Sequence, residues 1–324
     1  MRAVVCKEFG PPENLVVEEW DDPTPGSGEV LVEVKAAAVT FPDTLMIEDN
    51  YQFKVPPPYV PGGEVAGVVA AVGDDVEAFS VGDRVLGGIG VAGGFAEFAV
   101  VPAASTRVLP DQVGFAEVTG LNYAYGTSLY GLKHRGELQA GETVLVLGAG
   151  GNVGLSAVEL AKLLGARVIA AASSDEKLDL CRARGADETI NYEIEDLKAR
   201  AKELTGGAGA DVVYDCVGGD YAEAALRATA WNGRFLVVGF TAGIPSIPLN
   251  LTLLKGCQIV GVFFGAMVGR EPELARSISE ELIGMIGSGE LAPHVSERYS
   301  LERAGEALRA LMDRKALGKV VVEP

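Results

Sequence analysis

Val144-Leu145-Val146-Leu147-Gly148-Ala149-Gly150-Gly151-Asn152-Val153-Gly154 is the stretch on which the fold turns. Four apolar residues read as a buried strand, and the glycines after them as a tight turn. Leu155, Val158, Leu160, Leu163 and Leu164 continue as a helix until Gly165 stops it, and a second strand-like run starts at Arg167. Counted from Ala149, the turn is A-x-G-x-x-G between a strand and a helix, the context in which such glycines mark a dinucleotide site. Gly151 would let the backbone approach a pyrophosphate and Gly154 would let helix and strand pack. The helix N-terminus would offer free N–H groups and partial positive charge. Gly150, Gly151, Asn152 and Val153 are the loop residues expected against the ligand.

Downstream, Val168 to Ala172, Val212 to Tyr214 and Phe235 to Val238 alternate with helix-length segments, which predicts a doubly wound parallel sheet over 121–262. Upstream, residues 1–120 carry short strand-like runs: Glu29 to Val34, Glu64 to Val69, and Phe95 to Val100. Gly73-Asp74-Asp75, Val81-Gly82-Asp83-Arg84 and Gly87-Gly88 break them, as in a compact β-rich domain. Residues 273–288 and 301–314 read as amphipathic helices, and Gly318 to Pro324 as a last short strand. That strand has no place in a parallel sheet, so residues 263–324 are expected to return to the first domain, leaving the α/β domain inserted in it.

The chain has 324 residues, enough for two domains, with 48% hydrophobic and 22% charged residues, near the globular average. No apolar run approaches the roughly 18 residues of a membrane span. Met1 to Lys7 alternate like a strand and meet a charge before any signal-peptide run forms, so the cytoplasm is the expected location and no membrane partner is expected. A net charge of -18 repels phosphate backbones and disfavours nucleic acid. Cys6, Cys181, Cys216 and Cys257 are scattered without a C-x-x-C pair, and are expected reduced and buried rather than catalytic.

NADH and NADPH are told apart at the end of the second strand, where binders of NAD usually place Asp or Glu about 20 residues on. Here the strand ends Ala170-Ala171-Ala172-Ser173-Ser174, followed by Lys177. Two hydroxyls leave room for a 2'-phosphate, and an ammonium one turn on supplies charge for it. NADPH is therefore expected, on Ser173, Ser174 and Lys177. In the alternative, the serines only cap the helix from Asp175, Lys177 is solvated and Asp175 serves the ribose.

With the β domain, the A-x-G-x-x-G loop and the returning C-terminus in place, the whole chain resembles the medium-chain dehydrogenase/reductase superfamily. Thr40-Phe41-Pro42-Asp43, Pro61 to Gly67, Val81-Gly82-Asp83-Arg84-Val85 and Asn191-Tyr192 resemble its quinone oxidoreductase branch. The resemblance implies a Rossmann sheet inserted in a GroES-like domain. It also implies a homodimer formed through an edge strand around Gln258 to Val262. Zinc-dependent members would place a catalytic cysteine near Thr40 and the histidine of a Gly-His-Glu triplet at Gly63, and neither residue here serves as such a ligand. The two histidines, His134 and His294, are expected at the surface. No metal is expected.

Without a Lewis acid, a simple ketone is a poor acceptor. A quinone or enone delocalises the charge that hydride attack creates, and hydrogen bonds suffice to stabilise it. By resemblance, Thr40 and Tyr51 stand at the catalytic positions, Thr40 where many relatives have Asn near the nicotinamide ribose, and Phe53 and Tyr59 stand at the pocket wall. On the cofactor side the resemblance assigns Thr127, Tyr192, Cys216, Val217, Gly239, Phe240, Phe263, Phe264 and Lys319, each with a plain packing alternative. Metal-free hydride transfer from NADPH to a small quinone or related conjugated carbonyl is thus the expected function. Reduction of enoyl thioesters or alkenals would use the same layout, and a non-catalytic NADPH binder is the rival from another class.

Overall fold

The computed structural model describes residues 1–324. The chain divides into two compact units, Met1–Tyr123 with Ser279–Pro324, and Ala124–Ile278.

The first unit opens with a hairpin-like pair, β1 (Arg2–Val5) and β2 (Val16–Glu19), and then β3 (Glu29–Val39). Along β3, Val30, Val32 and Val34 alternate inward while the residues between them face outward, the period-two pattern of a sheet covered on one face. Helix α1 (Phe41–Ile47) follows directly, and then β4 (Glu64–Val72), β5 (Arg84–Gly88), β6 (Phe98–Pro102), β7 (Thr106–Val108) and the short α2 (Phe115–Val118). The next helical stretch holds α3 (Thr127–Leu129) between two wide π turns, Leu121–Gly126 and Tyr130–Arg135. The chain passes from one unit to the other inside the first of these turns.

The second unit then alternates β8 (Thr143–Leu147), α4 (Asn152–Leu163), β9 (Arg167–Ala172), α5 (Asp175–Ala183), β10 (Glu188–Asn191), α6 (Leu197–Leu204), β11 (Ala210–Asp215), α7 (Tyr221–Ala228) and β12 (Thr229–Val237). It continues through α8 (Asn250–Lys255), β13 (Gln258–Gly261), α9 (Phe264–Arg270) and the start of α10 (Pro272–Ser288). Its six strands lie in the order β10-β9-β8-β11-β12-β13, all parallel. That is the doubly wound order with its switch point between β8 and β11, where the carboxyl ends of the strands open a crevice. Leu145, Leu147, Ile169, Ile190, Val213 and Phe235 form its core.

The returning segment adds β14 (Val295–Ser300), α11 (Ala304–Met312) and β15 (Lys319–Glu323). β15 pairs antiparallel with β3, Val320 opposite Val39, and so becomes part of the seven-stranded sheet of the first unit. Leu301, Leu308, Val320 and Val322 join Val30, Val32, Val65, Phe95 and Val101 in one core. The return falls at Ser279, within α10, rather than at residue 263 as the sequence predicts. Residues 263–278 stay with the second unit, where Phe264 packs against Gly126 and Tyr130. No helix is long and apolar enough to cross a membrane.

Candidate active site

The glycine loop joins β8 to α4, and each glycine in it answers a different demand. Gly148 turns the chain with φ +67°, a conformation other residues rarely adopt. A Cβ on Gly154 would lie 2.7 Å from Ala149 Cα, so this glycine is required by the packing of helix against strand. Gly150 is required by another neighbour: its Cβ would lie 2.7 Å from Lys177 Cγ, because the lysine stem runs across the loop. Gly151, the residue before α4, would meet only Gly148 O at 3.6 Å, an ordinary contact. Nothing in the protein demands a glycine there, so the loop backbone lies open at this residue. Asn152 and Val153 open the twelve-residue α4, whose first N–H groups face the turn.

At the end of β9, the Lys177 ammonium donates to Ser173 Oγ at 3.3 Å, and the Ser174 hydroxyl caps α5 by accepting from Lys177 N–H at 3.4 Å. Ser174 therefore caps α5, while Ser173 lies beside the lysine ammonium. Asp175 accepts a 2.9 Å bond from Asn191 Nδ2. Tyr192 packs against Tyr221, ring centroids 4.5 Å apart and ring planes tilted by 47°.

Further along the carboxyl edge, Asp215 accepts from the N–H groups of Val217 and Gly218 at 2.8 and 2.9 Å. The carboxylate thus shapes the loop carrying Cys216 and Val217, and burial raises its pKa. Cys216 is half-buried, unlike the other three cysteines, and burial raises its thiol pKa as well. Its carbonyl accepts from the Thr241 hydroxyl, beside Gly239 and the partly exposed Phe240. The two phenylalanines expected near the nicotinamide divide. Phe264 is 8% exposed and fills the space that a Cβ on Gly126 would need, whereas Phe263 is 50% exposed.

Behind these segments runs a buried chain of hydroxyls that the sequence reading missed. Tyr214 Oη lies 2.9 Å from Ser128 Oγ, Ser128 Oγ lies 2.8 Å from Ser156 Oγ, and Ser156 donates to Val153 O at 2.8 Å. It ties the segment after Thr127, the start of α4 and the end of β11 together. Tyr125 is held similarly, donating to Glu159 at 2.6 Å, while Arg184 holds the other carboxylate oxygen at 3.3 Å. The only sequence signal for these networks is polar residues on buried helix faces.

In the first unit, Thr40 heads α1 and donates both its N–H and its hydroxyl to Asp43 Oδ2, at 2.7 and 2.6 Å. The Thr40 proton is thereby committed to a neighbour, and only its oxygen lone pairs stay available to a ligand. Burial pushes Asp43 up to about 6, opposed by bonds from Thr40 and the Gly62 N–H. Tyr51 sits half-buried beside Phe53, centroids 5.8 Å apart, its pKa raised by burial and then by the charge of Asp43. Tyr59 is buried, paired through its backbone to Cys6.

Tyr123, which the sequence reading passed over, belongs to this group. Its phenol donates to Gly90 O and lies over Gly63, where a Cβ would fall on both the phenol oxygen and that carbonyl. Its N–H donates to Glu64 Oε2 at 3.3 Å. Burial pushes Glu64 up to about 7, opposed by the Asn122 N–H, by Lys319 and by the Tyr123 and Gly120 N–H groups. Lys319, which the resemblance assigns to the cofactor side, is 1% exposed and donates to Glu117 O at 2.6 Å. Strand β15 carries it into the core of the first unit. His134 and His294 are also half-buried rather than superficial, His134 with its ring stacked on Tyr130.

Two family models match, the alcohol dehydrogenase GroES-like domain over residues 26–111 and the zinc-binding dehydrogenase domain over residues 152–280. Quinone oxidoreductase-like protein 2 homolog of Nematostella vectensis is 41% identical over 99% of this chain and 88% of its own length. Escherichia coli quinone oxidoreductase, solved in complex with NADPH, superposes with a TM-score of 0.90 at 30% identity, covering 100% of both chains. A mycobacterial protein complexed with NADPH gives a TM-score of 0.92 at 34% identity, again over 100% of both. Fold and site together define an oxidoreductase of the medium-chain dehydrogenase/reductase superfamily. Within that superfamily, the chain belongs to the quinone oxidoreductase branch.

Proposed function

We propose that this protein transfers a hydride from NADPH to a quinone or a related conjugated carbonyl compound, without a metal. The observation that carries the reading is at Gly63, where a metal-binding side chain would need room and the Tyr123 phenol takes it. No three His, Cys, Asp or Glu side chains converge anywhere in the molecule. A conjugated acceptor is the substrate class that such a site can serve, since its oxyanion is delocalised and hydrogen bonds suffice for it.

NADPH, when bound, supplies the hydride. The residues present fit it: Gly151 leaves the loop open to a pyrophosphate, α4 directs its N–H groups there, and Lys177 with Ser173 offers a cation and a hydroxyl for a 2'-phosphate. NADPH complexes of two similar proteins support the same choice. Thr127, Tyr192, Cys216, Val217, Gly239, Phe240 and Phe263 would line the remainder of the cofactor, with Phe264 behind them as packing. On the acceptor side, Tyr51 would donate to the acceptor oxygen, and Thr40 would accept from the nicotinamide ribose while its own proton stays on Asp43. Lys319 would act from within the first unit, holding Glu64, rather than touch the cofactor.

We also infer a homodimer through the free edge of the parallel sheet, strand β13, flanked by the exposed leucines of α8.

The decisive assay follows oxidation of NADPH and NADH with a panel of quinones and conjugated enals. Quinone-dependent consumption of NADPH in preference to NADH is the expected result. Activity confined to enals or enoyl thioesters would move the function to alkene reduction, and no turnover with any acceptor would leave a nucleotide-binding protein.

A further inference from the structure

We propose that Tyr123 is a second phenol in contact with the acceptor, carried over the bare backbone of Gly63 to hydrogen-bond the carbonyl oxygen of a flat conjugated ring. The inference rests on the reading of the chain as a reductase of such acceptors.

Three observations converge on it. First, the phenol lies directly on Gly63, with Tyr123 Cζ only 3.1 Å from where a Cβ would stand, so its place depends on that residue having no side chain. Second, the phenol reaches an open rim. Its present acceptor, Gly90 O, belongs to an exposed glycine with φ +103°, and a Cβ on Gly90 would meet nothing within 4 Å. Third, the residue sits close to the pair proposed to meet the nicotinamide ribose, next to which the acceptor must lie. Gly62 donates to Asp43, which holds Thr40, so the Thr40 and Asp43 pair is anchored one residue from Gly63.

The chemistry follows from this placement. A phenol bonded to a solvent-facing carbonyl can exchange that partner for an incoming carbonyl oxygen, while the released Gly90 carbonyl returns to water. The exchange favours the complex modestly in the ground state, by about the net weight of one hydrogen bond, because water satisfies the released carbonyl. As hydride arrives, negative charge grows on the acceptor oxygen, and a bond from the phenol becomes charge-assisted and stronger. The Tyr123 pKa stands above that of an ordinary phenol, first through burial and then through Asp43, Glu64 and Tyr51. The phenol therefore stays protonated and acts as a hydrogen-bond donor. The hydride with its two electrons comes from the reduced cofactor and the proton from solvent, so Tyr123 enters and leaves the cycle unchanged.

Tyr123→Phe keeps the ring over Gly63 and removes only the hydroxyl. The probe is tetramethyl-1,4-benzoquinone, whose fully substituted ring offers no C–H position for thiol addition, measured by equilibrium dialysis without nucleotide. The variant should bind the quinone about 3- to 10-fold more weakly, the weight of one hydrogen bond. Its kcat/KM for the same quinone should fall by roughly 10-fold or more, as expected for a bond that strengthens in the transition state. Binding of NADPH, and of tetramethylbenzene, the same ring without carbonyls, should be unchanged. Unchanged quinone binding and turnover in a variant of an active wild type would overturn the role of Tyr123 and leave the quinone reading standing. Parallel loss of NADPH and tetramethylbenzene binding would make the residue merely structural. A wild type that neither binds nor reduces the quinone would sink the functional reading, and this inference with it.

Discussion

Lys177 offers the candidate site a stem and a charge. The stem occupies the space that a side chain at Gly150 would need, and the ammonium stands 3.3 Å from Ser173 Oγ at the end of β9. A 2'-phosphate bound there gains a charge-assisted bond that NADH cannot form. Lys177→Ala should therefore raise the KM for NADPH by on the order of 10-fold or more and leave that for NADH nearly unchanged. Steady-state kinetics with both nucleotides decides it, and an equal loss for the two would mean that the stem, not the charge, matters. The glycines of the same loop separate folding from binding. A methyl at Gly154 would press into backbone, with Ala149 Cα at 2.7 Å, so Gly154→Ala should cost about 1–3 kcal/mol of stability in a urea melt. Gly151→Ala meets only Gly148 O at 3.6 Å. It should leave the melt within about 0.5 kcal/mol of wild type while weakening NADPH binding roughly 10-fold or more if, as proposed, its backbone approaches the pyrophosphate. Retained affinity in Gly151→Ala would place the pyrophosphate elsewhere.

The hydroxyl chain from Tyr214 through Ser128 and Ser156 to the Val153 carbonyl joins β11, α3 and α4, and all three hydroxyl-bearing residues are buried. Each hydroxyl has one proton, and the chain closes if every residue donates toward Val153. Tyr214→Phe should cost about 1 kcal/mol, and Ser128→Ala about 1–3 kcal/mol because it strands the buried Tyr214 hydroxyl. The double variant should lose less than the sum, and denaturant melts of all four proteins test this; strict additivity would mean the hydroxyls do not act as a chain. The chain also shows where sequence reading stops. Strands β8, β9, β11 and β12 and the helix from Asn152 are legible because each carries its own periodicity and its own glycine or polar stop. The four-residue β10, with Glu188 and Thr189 only half-buried, has too little pattern to be seen. The site divides in the same way. The candidates Gly151, Ser173 and Lys177 are picked out by position relative to a strand end, which is local. Tyr123 and the Tyr214 chain depend on which residues meet across elements, as with Tyr123 over Gly63. The burial of Lys319 is non-local for the same reason, since antiparallel pairing of β15 with β3 draws it inward.

At the scale of the whole molecule, the second unit leaves one side of its parallel sheet unpaired. Strand β13 is the last in the order and bonds only to β12, and its Ile259 is partly exposed. Beside it in sequence, α8 presents Leu253 and Leu254, with Leu249 just before it, and Leu253 is 80% exposed. An edge of free N–H and C=O groups next to exposed leucines is prone to associate unless covered, and in the proposed homodimer a second copy would cover it with the same surface. The net charge of -18 opposes this association over long range, so it should tighten as salt screens the repulsion. Sedimentation should therefore give a mass of two chains at micromolar concentration, more completely at moderate than at low ionic strength. Ile259→Lys combined with Leu253→Glu places charges on the edge strand and on the leucine face. That variant should sediment as one chain while keeping its NADPH affinity, because neither residue belongs to the glycine loop or to the Ser173 and Lys177 pair. A wild type that sediments as a single chain under both salt conditions would refute the homodimer, and a variant that loses NADPH binding together with its dimer would show that assembly shapes the cofactor site.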